Sequence, residues 1–137
     1  MVFRAGNGYP SEVNDYLGKL LWVVGASGGP KIPTAVIQAV TNFALLGMPL
    51  YDAITRPRLH DQLIYEQHSA TLYDESPLLQ GPTIEVSNAT MQALASRGHL
   101  LVPVSNTGCV QAVAIDQETG RLTAVSDIRK GGSASGW

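Results

Sequence analysis

The 137-residue sequence has little charge and almost no cysteine. Charged residues make up 15% of it and the formal net charge is −2, so it lacks the broad positive surface that binds nucleic acid or an anionic membrane. Its single cysteine, Cys109, cannot form an intramolecular disulfide, and it lies in an apolar run where a thiol usually acts as a small hydrophobic group. These shortages favour a protein or small-molecule partner and leave the cellular compartment open.

The sequence also lacks a convincing membrane segment. No apolar run near its start resembles a signal-peptide core. Residues 32–51 contain no charged side chain, but Gln38, Asn42 and Pro49 interrupt them, and a spanning helix needs about 20 predominantly apolar residues. This stretch therefore predicts a helix buried in a globular core, and the chain length fits a single domain.

Apolar runs and turn residues predict a layered α/β or α+β domain. The predicted strands are 20–24, 70–73, 99–104, 110–115 and 122–125, and the predicted helices are a long one ending at Gly47, a short one over 51–56 and one from Ser87 or Asn88 to Arg97. The first strand has the continuous apolar pattern of a strand covered on both faces, and the long helix is apolar almost all round, which predicts that other elements sandwich it. Residues 1–18 predict an irregular arm, and residues 58–67 predict extended chain.

The strands near the C-terminus carry two further signals. Pro103 predicts either that its strand lies at a sheet edge or that the strand ends there, because proline cannot donate to a strand ladder. Residues 116–121, which include Gly120, predict the turn of a hairpin.

A glycine-rich turn joins the first strand to the long helix in the segment VVGASGGPKIPTA, residues 23–35. Backbone N–H groups at such a turn point outward and attract negative charge. A phosphate cradle is one interpretation, although both phosphate-binding glycine spacings are missing. An oxyanion hole formed by the N–H groups of Gly28 and Gly29 is a second, because nothing projects from their Cα atoms to block a substrate. The third is that the glycines only allow the helix to pack closely on its strand.

Other polar residues give weaker signals. Ser27 could join a catalytic triad with His60, His68 or His99 only if the fold brought them together. The arginines Arg56 and Arg58, with Asp52 and Asp61 nearby, favour a structural set of ion pairs and hydrogen bonds over the alternative, a substrate clamp, and the same holds for Asp127 with Arg129. The pair of Glu66 and His68 is a weak metal signal, so neither a metal nor a cofactor is expected.

Three segments resemble, in order, the C-terminal part of the gamma-glutamyltransferase family, also called glutathione hydrolases. They are VVGASGGPKI, GMPLYDAITRPRLHDQL and VQAVAIDQETGRLTAVSDIRKGG. The resemblance covers residues 19–137 and does not include residues 1–18. It implies an N-terminal-nucleophile hydrolase, with two stacked sheets between helical layers, made as a precursor that cuts itself into a large and a small subunit. It also implies that a threonine at the start of the small subunit takes the gamma-glutamyl group of glutathione and passes it to water or an amino-acid acceptor.

Residue by residue, the resemblance assigns the family's oxyanion glycines to Gly28 and Gly29. The family's nucleophilic threonine and its substrate-binding side chains belong to segments upstream of residue 19, and residues 1–18 contain no threonine. The sequence is therefore interpreted as the C-terminal portion of a small-subunit domain, so whether the chain by itself is an enzyme stays open. The alternative is a noncatalytic fragment, or a folding or binding module.

The resemblance further implies a set of partners and a location. The expected partners are glutathione or another gamma-glutamyl substrate, a large subunit and the missing small-subunit segment, with no nucleic acid and no membrane segment in this chain. Family members commonly act outside the cell, at its surface or in the periplasm. Two measurable expectations follow. In a protein that includes the upstream threonine, Gly28→Ala lowers kcat far more than it lowers stability. The chain alone exposes apolar surface around Phe43 and Leu46.

Overall fold

The computed structural model describes residues 2–3, 20–62, 70–76 and 84–136, and it contains two sheets and three α-helices in that part of the chain. The strands are β1 (Val2–Phe3), β2 (Leu20–Ser27), β3 (Leu59–His60), β4 (Ala70–Ser76), β5 (Ile84–Glu85), β6 (Leu100–Val104), β7 (Cys109–Ile115) and β8 (Leu122–Ser126). The α-helices are α1 (Ile32–Val40), α2 (Leu50–Thr55) and α3 (Asn88–Ala95). A 3₁₀ turn at Gly29–Lys31 precedes α1, a π-helical turn at Thr41–Leu45 extends it, and a second 3₁₀ turn lies at Ile128–Lys130.

The first sheet is antiparallel throughout, in the order β1-β2-β7-β8. β2 and β7 pair from Trp22 opposite Ala114 to Ser27 opposite Cys109, which places the end of β2 beside the start of β7. In the second sheet β4 pairs antiparallel with β3 and β5 and parallel with β6. The mixture of helices and sheets confirms the predicted α+β class.

The main core lies between one face of the first sheet and the helices α1 and α2. Its buried members are Trp22, Ala35, Ala39, Leu50, Ile54, Val110, Ala112 and Val125. Phe43 packs on Trp22 with the ring centroids 5.0 Å apart and the rings tilted by 57°. The small side chains Ala35 and Ala39 lie one helical turn apart on α1, so they let the helix approach the sheet closely.

The other sides of β2 and α1 are open, which differs from the prediction that both would be covered. Val23, on the outer face of β2, is 39% exposed, and Ile37 on α1 is 62% exposed. A continuous apolar pattern shows that both faces of an element could be buried. Each face is buried only where another element packs against it, and among the described residues such an element lies on one side. Leu46 is 62% exposed as expected, whereas Phe43 is half-buried against the core.

Several element ends follow from local sequence signals. α2 ends before Pro57, and Arg56 has the extended backbone that precedes a proline. The Ser87 hydroxyl caps α3 by accepting a hydrogen bond from the N–H of Thr90 at 3.2 Å. The β7–β8 hairpin turns through Gly120 at a φ of +71°, and β6, which contains Pro103, is bonded on one side only among the described residues.

Two sequence predictions concern regions that the structure describes only in part. Val2 and Phe3 form a short strand beside β2 within the segment expected to be irregular, and the rest of that segment lies outside the described residues. Residues 58–67 contain the strand β3, but Glu66 and His68 also lie outside the described residues. No helix within the described ranges is long and apolar enough to cross a bilayer.

Candidate functional site

The glycine turn lies where β2 ends, and its backbone conformation favours glycine at two successive positions. Gly28 has a φ of +143° and Gly29 a φ of +60°, both in the region that side chains disfavour. The Lys31 N–H donates to the Gly28 carbonyl at 3.3 Å and closes the turn. Gly28 and Gly29 are exposed, and within the described part of the chain no group accepts a hydrogen bond from either amide. The turn therefore contains two adjacent exposed glycines whose N–H groups have no partner among the described residues.

The two glycines are required for different reasons. A Cβ atom added to Gly28 would lie 2.9 Å from the Cα atom of Gly108, so this position is needed for close packing of two backbones. A Cβ atom added to Gly29 would meet nothing within 4 Å, so only its backbone conformation demands glycine. The close contact of Gly28 is thus with the loop before β7 and not between the helix and its strand, and open space lies beside Gly29.

Two lysines flank the turn. The Lys130 ammonium donates to the Ser27 hydroxyl oxygen at 3.1 Å, and the Lys31 ammonium donates to the Asn106 carbonyl at 2.8 Å. Among the described residues no carboxylate lies within salt-bridge distance of either ammonium. Both groups therefore add positive potential around Gly28 and Gly29.

A buried ion-pair cluster lies behind the turn. It consists of Arg58, Asp74, Asp127 and Arg129, whose side chains are at most 2% exposed. Arg58 bonds Asp127 at 2.7 Å, and Arg129 bonds Asp74 at 2.6 Å and Asp127 at 2.9 Å. The prediction of a structural ion-pair set is confirmed for Arg58, Asp127 and Arg129.

The predicted partners of these arginines were wrong. Arg56 is exposed and donates to the sulfur of Met48, and the side chain of Asp52 is also exposed. Asp61 instead accepts a hydrogen bond from the Thr71 hydroxyl at 2.6 Å. Residues close in sequence were expected to pair, but the fold joins Arg58 to a carboxylate on a distant segment.

The ion-pair cluster holds the loop that abuts Gly28. Arg58 donates to the Gly108 carbonyl at 2.9 Å, and Asp127 accepts from the N–H of Val110 at 2.8 Å. Asp74 accepts from the hydroxyl of Thr107 at 2.6 Å. Three of the four charged side chains thereby each hold one position in residues 107–110, and this loop lies against the backbone of Gly28.

The stabilising effect of the ion-pair cluster depends on pH through the protonation of Asp127. Burial alone would raise the pKa of Asp127, but the neighbouring Arg129 and Arg58 outweigh burial and hold the pKa below its usual value. Because the folded-state pKa is the lower one, Asp127 stabilises the fold above its unfolded-state pKa. This contribution is lost as the pH falls through the folded-state pKa.

We expect the free energy of unfolding to fall when the pH drops below about 4, the ordinary range of an aspartate pKa. Urea denaturation at a series of pH values measures this slope. Asp127→Asn should flatten it, whereas the exposed Asp52→Asn should leave it unchanged. Parallel slopes in the unsubstituted protein and in Asp127→Asn would contradict the assignment.

The remaining candidates are not brought together. Ser27 bonds Lys130, whereas His60 lies beside Thr34 and Gln62. The ring of His99 lies 2.7 Å from the hydroxyl of Thr71. The described residues therefore contain no Ser27 triad, and they also contain no group of three His, Cys, Asp or Glu side chains that could hold a metal ion.

Sequence reasoning missed Asp74, Thr107 and Gly108. Asp74 is a fully buried carboxylate in strand β4, but the exposed Glu75 follows it directly, and no sequence signal distinguished the buried acid from the exposed one. The Ser105–Gly108 stretch before β7 has the composition of a turn, but no sequence signal showed that it would meet Gly28.

Comparison with solved structures identifies the class of fold. Gamma-glutamyltranspeptidase from Pseudomonas nitroreducens complexed with L-DON superposes with a TM-score of 0.68 at 25% identity, covering 85% of this chain and 55% of that chain. An acivicin-inhibited gamma-glutamyltranspeptidase gives a TM-score of 0.69 at 23% identity. The chain thus has the mixed α and β fold of the N-terminal-nucleophile hydrolases.

Sequence comparison identifies the family. A family model described as Gamma-glutamyltranspeptidase matches residues 8–137, so the chain belongs to this family. The match begins inside the segment 1–18, for which no resemblance was expected. Glutathione hydrolase 2 of Arabidopsis thaliana is 30% identical over 126 residues, 88% of this chain and 21% of that protein. Scoloptoxin SSD20 of Scolopendra dehaani is 29% identical over 120 residues, 88% of this chain and 55% of the toxin. The chain spans about a fifth of the plant hydrolase and about half of the toxin.

Proposed function

We propose that residues 19–137 form the C-terminal portion of the small-subunit domain of a gamma-glutamyltransferase that hydrolyses or transfers the gamma-glutamyl group of glutathione. In this proposal the N–H groups of Gly28 and Gly29 form the oxyanion hole. The observation that carries it is the pair of adjacent amides, in two exposed glycines, for which no acceptor is found among the described residues.

The proposed chemistry is acyl transfer in two steps. A threonine hydroxyl from another part of the protein attacks the gamma-carbonyl carbon, and the carbonyl π electrons move onto oxygen. The N–H groups at Gly28 and Gly29 stabilise that negative oxygen, and each such donor typically contributes roughly 3 kcal/mol to lowering the barrier. The intermediate collapses with loss of the protonated amine, and water or an amino-acid amine then releases the gamma-glutamyl group.

The surroundings of the turn support this role. Negative charge develops on the substrate oxygen, and the ammonium groups of Lys31 and Lys130 lie at the edge of the turn. The open space beside Gly29 leaves room for an acyl group to reach the amides. The buried cluster fixes the backbone behind Gly28, so the donors are held in place before the reaction begins.

A chromogenic gamma-glutamyl anilide assay tests the proposal. We expect the protein that combines this chain with a large subunit and the upstream threonine to release aniline with a rapid first turnover. The 137-residue chain alone should release none above background. No aniline from the combined protein would favour the alternative, a noncatalytic folding or binding module, and release by the isolated chain would show that the nucleophile lies within it.

A further inference from the structure

The segment Asn88-Ala89-Thr90 is an acceptor sequence for N-linked glycosylation. It has an asparagine, a middle residue that is not proline, and a hydroxyl residue two positions after the asparagine. None of the other asparagines in the 137 residues is followed by a serine or threonine at that distance. The sequence therefore offers one acceptor position.

The structure leaves this asparagine accessible. Asn88 is the first residue of α3 and is exposed, and its carboxamide makes no hydrogen bond within the described part of the chain. Capping of the helix is performed by the hydroxyl of Ser87, so the Asn88 side chain has no structural task at the helix start. Thr90 is also exposed, and its hydroxyl lies 2.9 Å from that of Ser87.

The surface around Asn88 can accommodate a bulky group. α3 contains no buried residue, and it packs beside β6 of the second sheet. The glycine turn follows β2 of the first sheet, so the acceptor asparagine and the proposed oxyanion donors belong to different sheets. A substituent on Asn88 would extend into solvent without displacing a core side chain.

We infer that Asn88 carries an N-linked oligosaccharide in the mature protein. The donor is a polyprenyl diphosphate-linked oligosaccharide. The Asn88 amide nitrogen bonds to the anomeric carbon of the first sugar while the bond from that carbon to the diphosphate oxygen breaks. The polyprenyl diphosphate leaves with the bonding electrons, and the amide proton passes to a base of the transferase. The hydroxyl of Thr90 completes the acceptor sequence, so the transfer requires both Asn88 and Thr90.

Mass spectrometry of the protein isolated from its natural source tests the inference. No lysine or arginine lies between Arg58 and Arg97, so trypsin places Asn88 in the peptide 59–97. Removal of the glycan by peptide N-glycosidase in heavy-oxygen water is expected to convert Asn88 to an aspartate that contains one heavy oxygen. Recovery of only the unmodified peptide, in digests made with and without the glycosidase, would overturn the inference.

Variants expressed through a eukaryotic secretory route test whether the modification depends on the acceptor sequence at residues 88–90. Thr90→Ala and Asn88→Gln should abolish the glycosidase-sensitive mass shift. Thr90→Ser is the matched control, because it keeps the hydroxyl, and it should retain the shift. A shift that persists in Thr90→Ala would contradict the assignment, as would its absence from the unsubstituted protein.

Discussion

Replacing Arg58 by methionine is expected to lower the free energy of unfolding by about 3–5 kcal/mol, the typical effect of removing one partner from a buried ion pair. The substitution keeps most of the side-chain volume but leaves the buried carboxylate of Asp127 with one fewer positive partner. It also leaves the Gly108 carbonyl without its donor. Urea denaturation of the unsubstituted and substituted proteins measures the difference.

Arg56→Met is the matched control for this prediction. Arg56 lies two residues away and has the same side chain, but it is exposed, so its loss should change stability by no more than about 0.5 kcal/mol. Combining Arg58→Met with Asp127→Leu should recover part of the lost stability, because no uncompensated charge then remains at that pair. If the two arginine substitutions lower the free energy of unfolding equally, the buried contacts of Arg58 do not stabilise the fold.

Gly29→Ala is expected to slow formation of the acyl-enzyme by about 10²-fold or more, comparable with the loss of one oxyanion donor. The added methyl group enters the open space beside the turn, where the substrate oxygen would lie in the proposed function. The backbone φ of +60° adds a strain of about 1 kcal/mol for a residue with a Cβ atom. The rate of the first aniline burst from the protein with its upstream threonine measures the effect.

The control for Gly29 is Gly120→Ala in the β7–β8 hairpin. Gly120 has a φ of +71° and also has nothing within 4 Å of an added Cβ atom, so it bears a similar strain away from the glycine turn. Both variants should lose similar stability, and only Gly29→Ala should lose activity. If Gly29→Ala retains its full burst rate, the oxyanion role is wrong.

Gly28→Ala separates a loss of activity from a loss of stability less well than the sequence predicted. Its methyl group would lie 2.9 Å from the Gly108 Cα atom, and neither backbone can move without disturbing the loop that Arg58 holds. We therefore expect Gly28→Ala to reduce stability and activity together. The sequence did not reveal this, because the contact joins two segments that are distant along the chain.

Much of the fold could be predicted because its signals are local. Pro57 ends α2, Ser87 caps α3, and Gly120 lies in the hairpin turn, and each acts through a few neighbouring residues. The burial of β2 and α1 was predicted less well, because their apolar patterns carry no information about which sides a neighbouring layer occupies.

The site was predictable only as a pair of glycines. Gly28 and Gly29 followed from the bare turn and from the resemblance, and their oxyanion role stays a prediction. Asp74 and Thr107 could not be found, because their importance arises from pairing across the fold. The same limitation explains why Arg58 was assigned nearby acidic partners and not Asp127.

The ion-pair cluster has a consequence for the order of folding. Arg58 and Asp127 are separated by 69 positions, so their contact forms only after a long intervening loop has closed. The loop beside Gly28 depends on that contact, and the donors of the glycine turn therefore gain their final support late in folding. Until Asp127 has joined Arg58, the strands and helices can already be in place while residues 107–110, which abut Gly28, still lack two of their side-chain contacts.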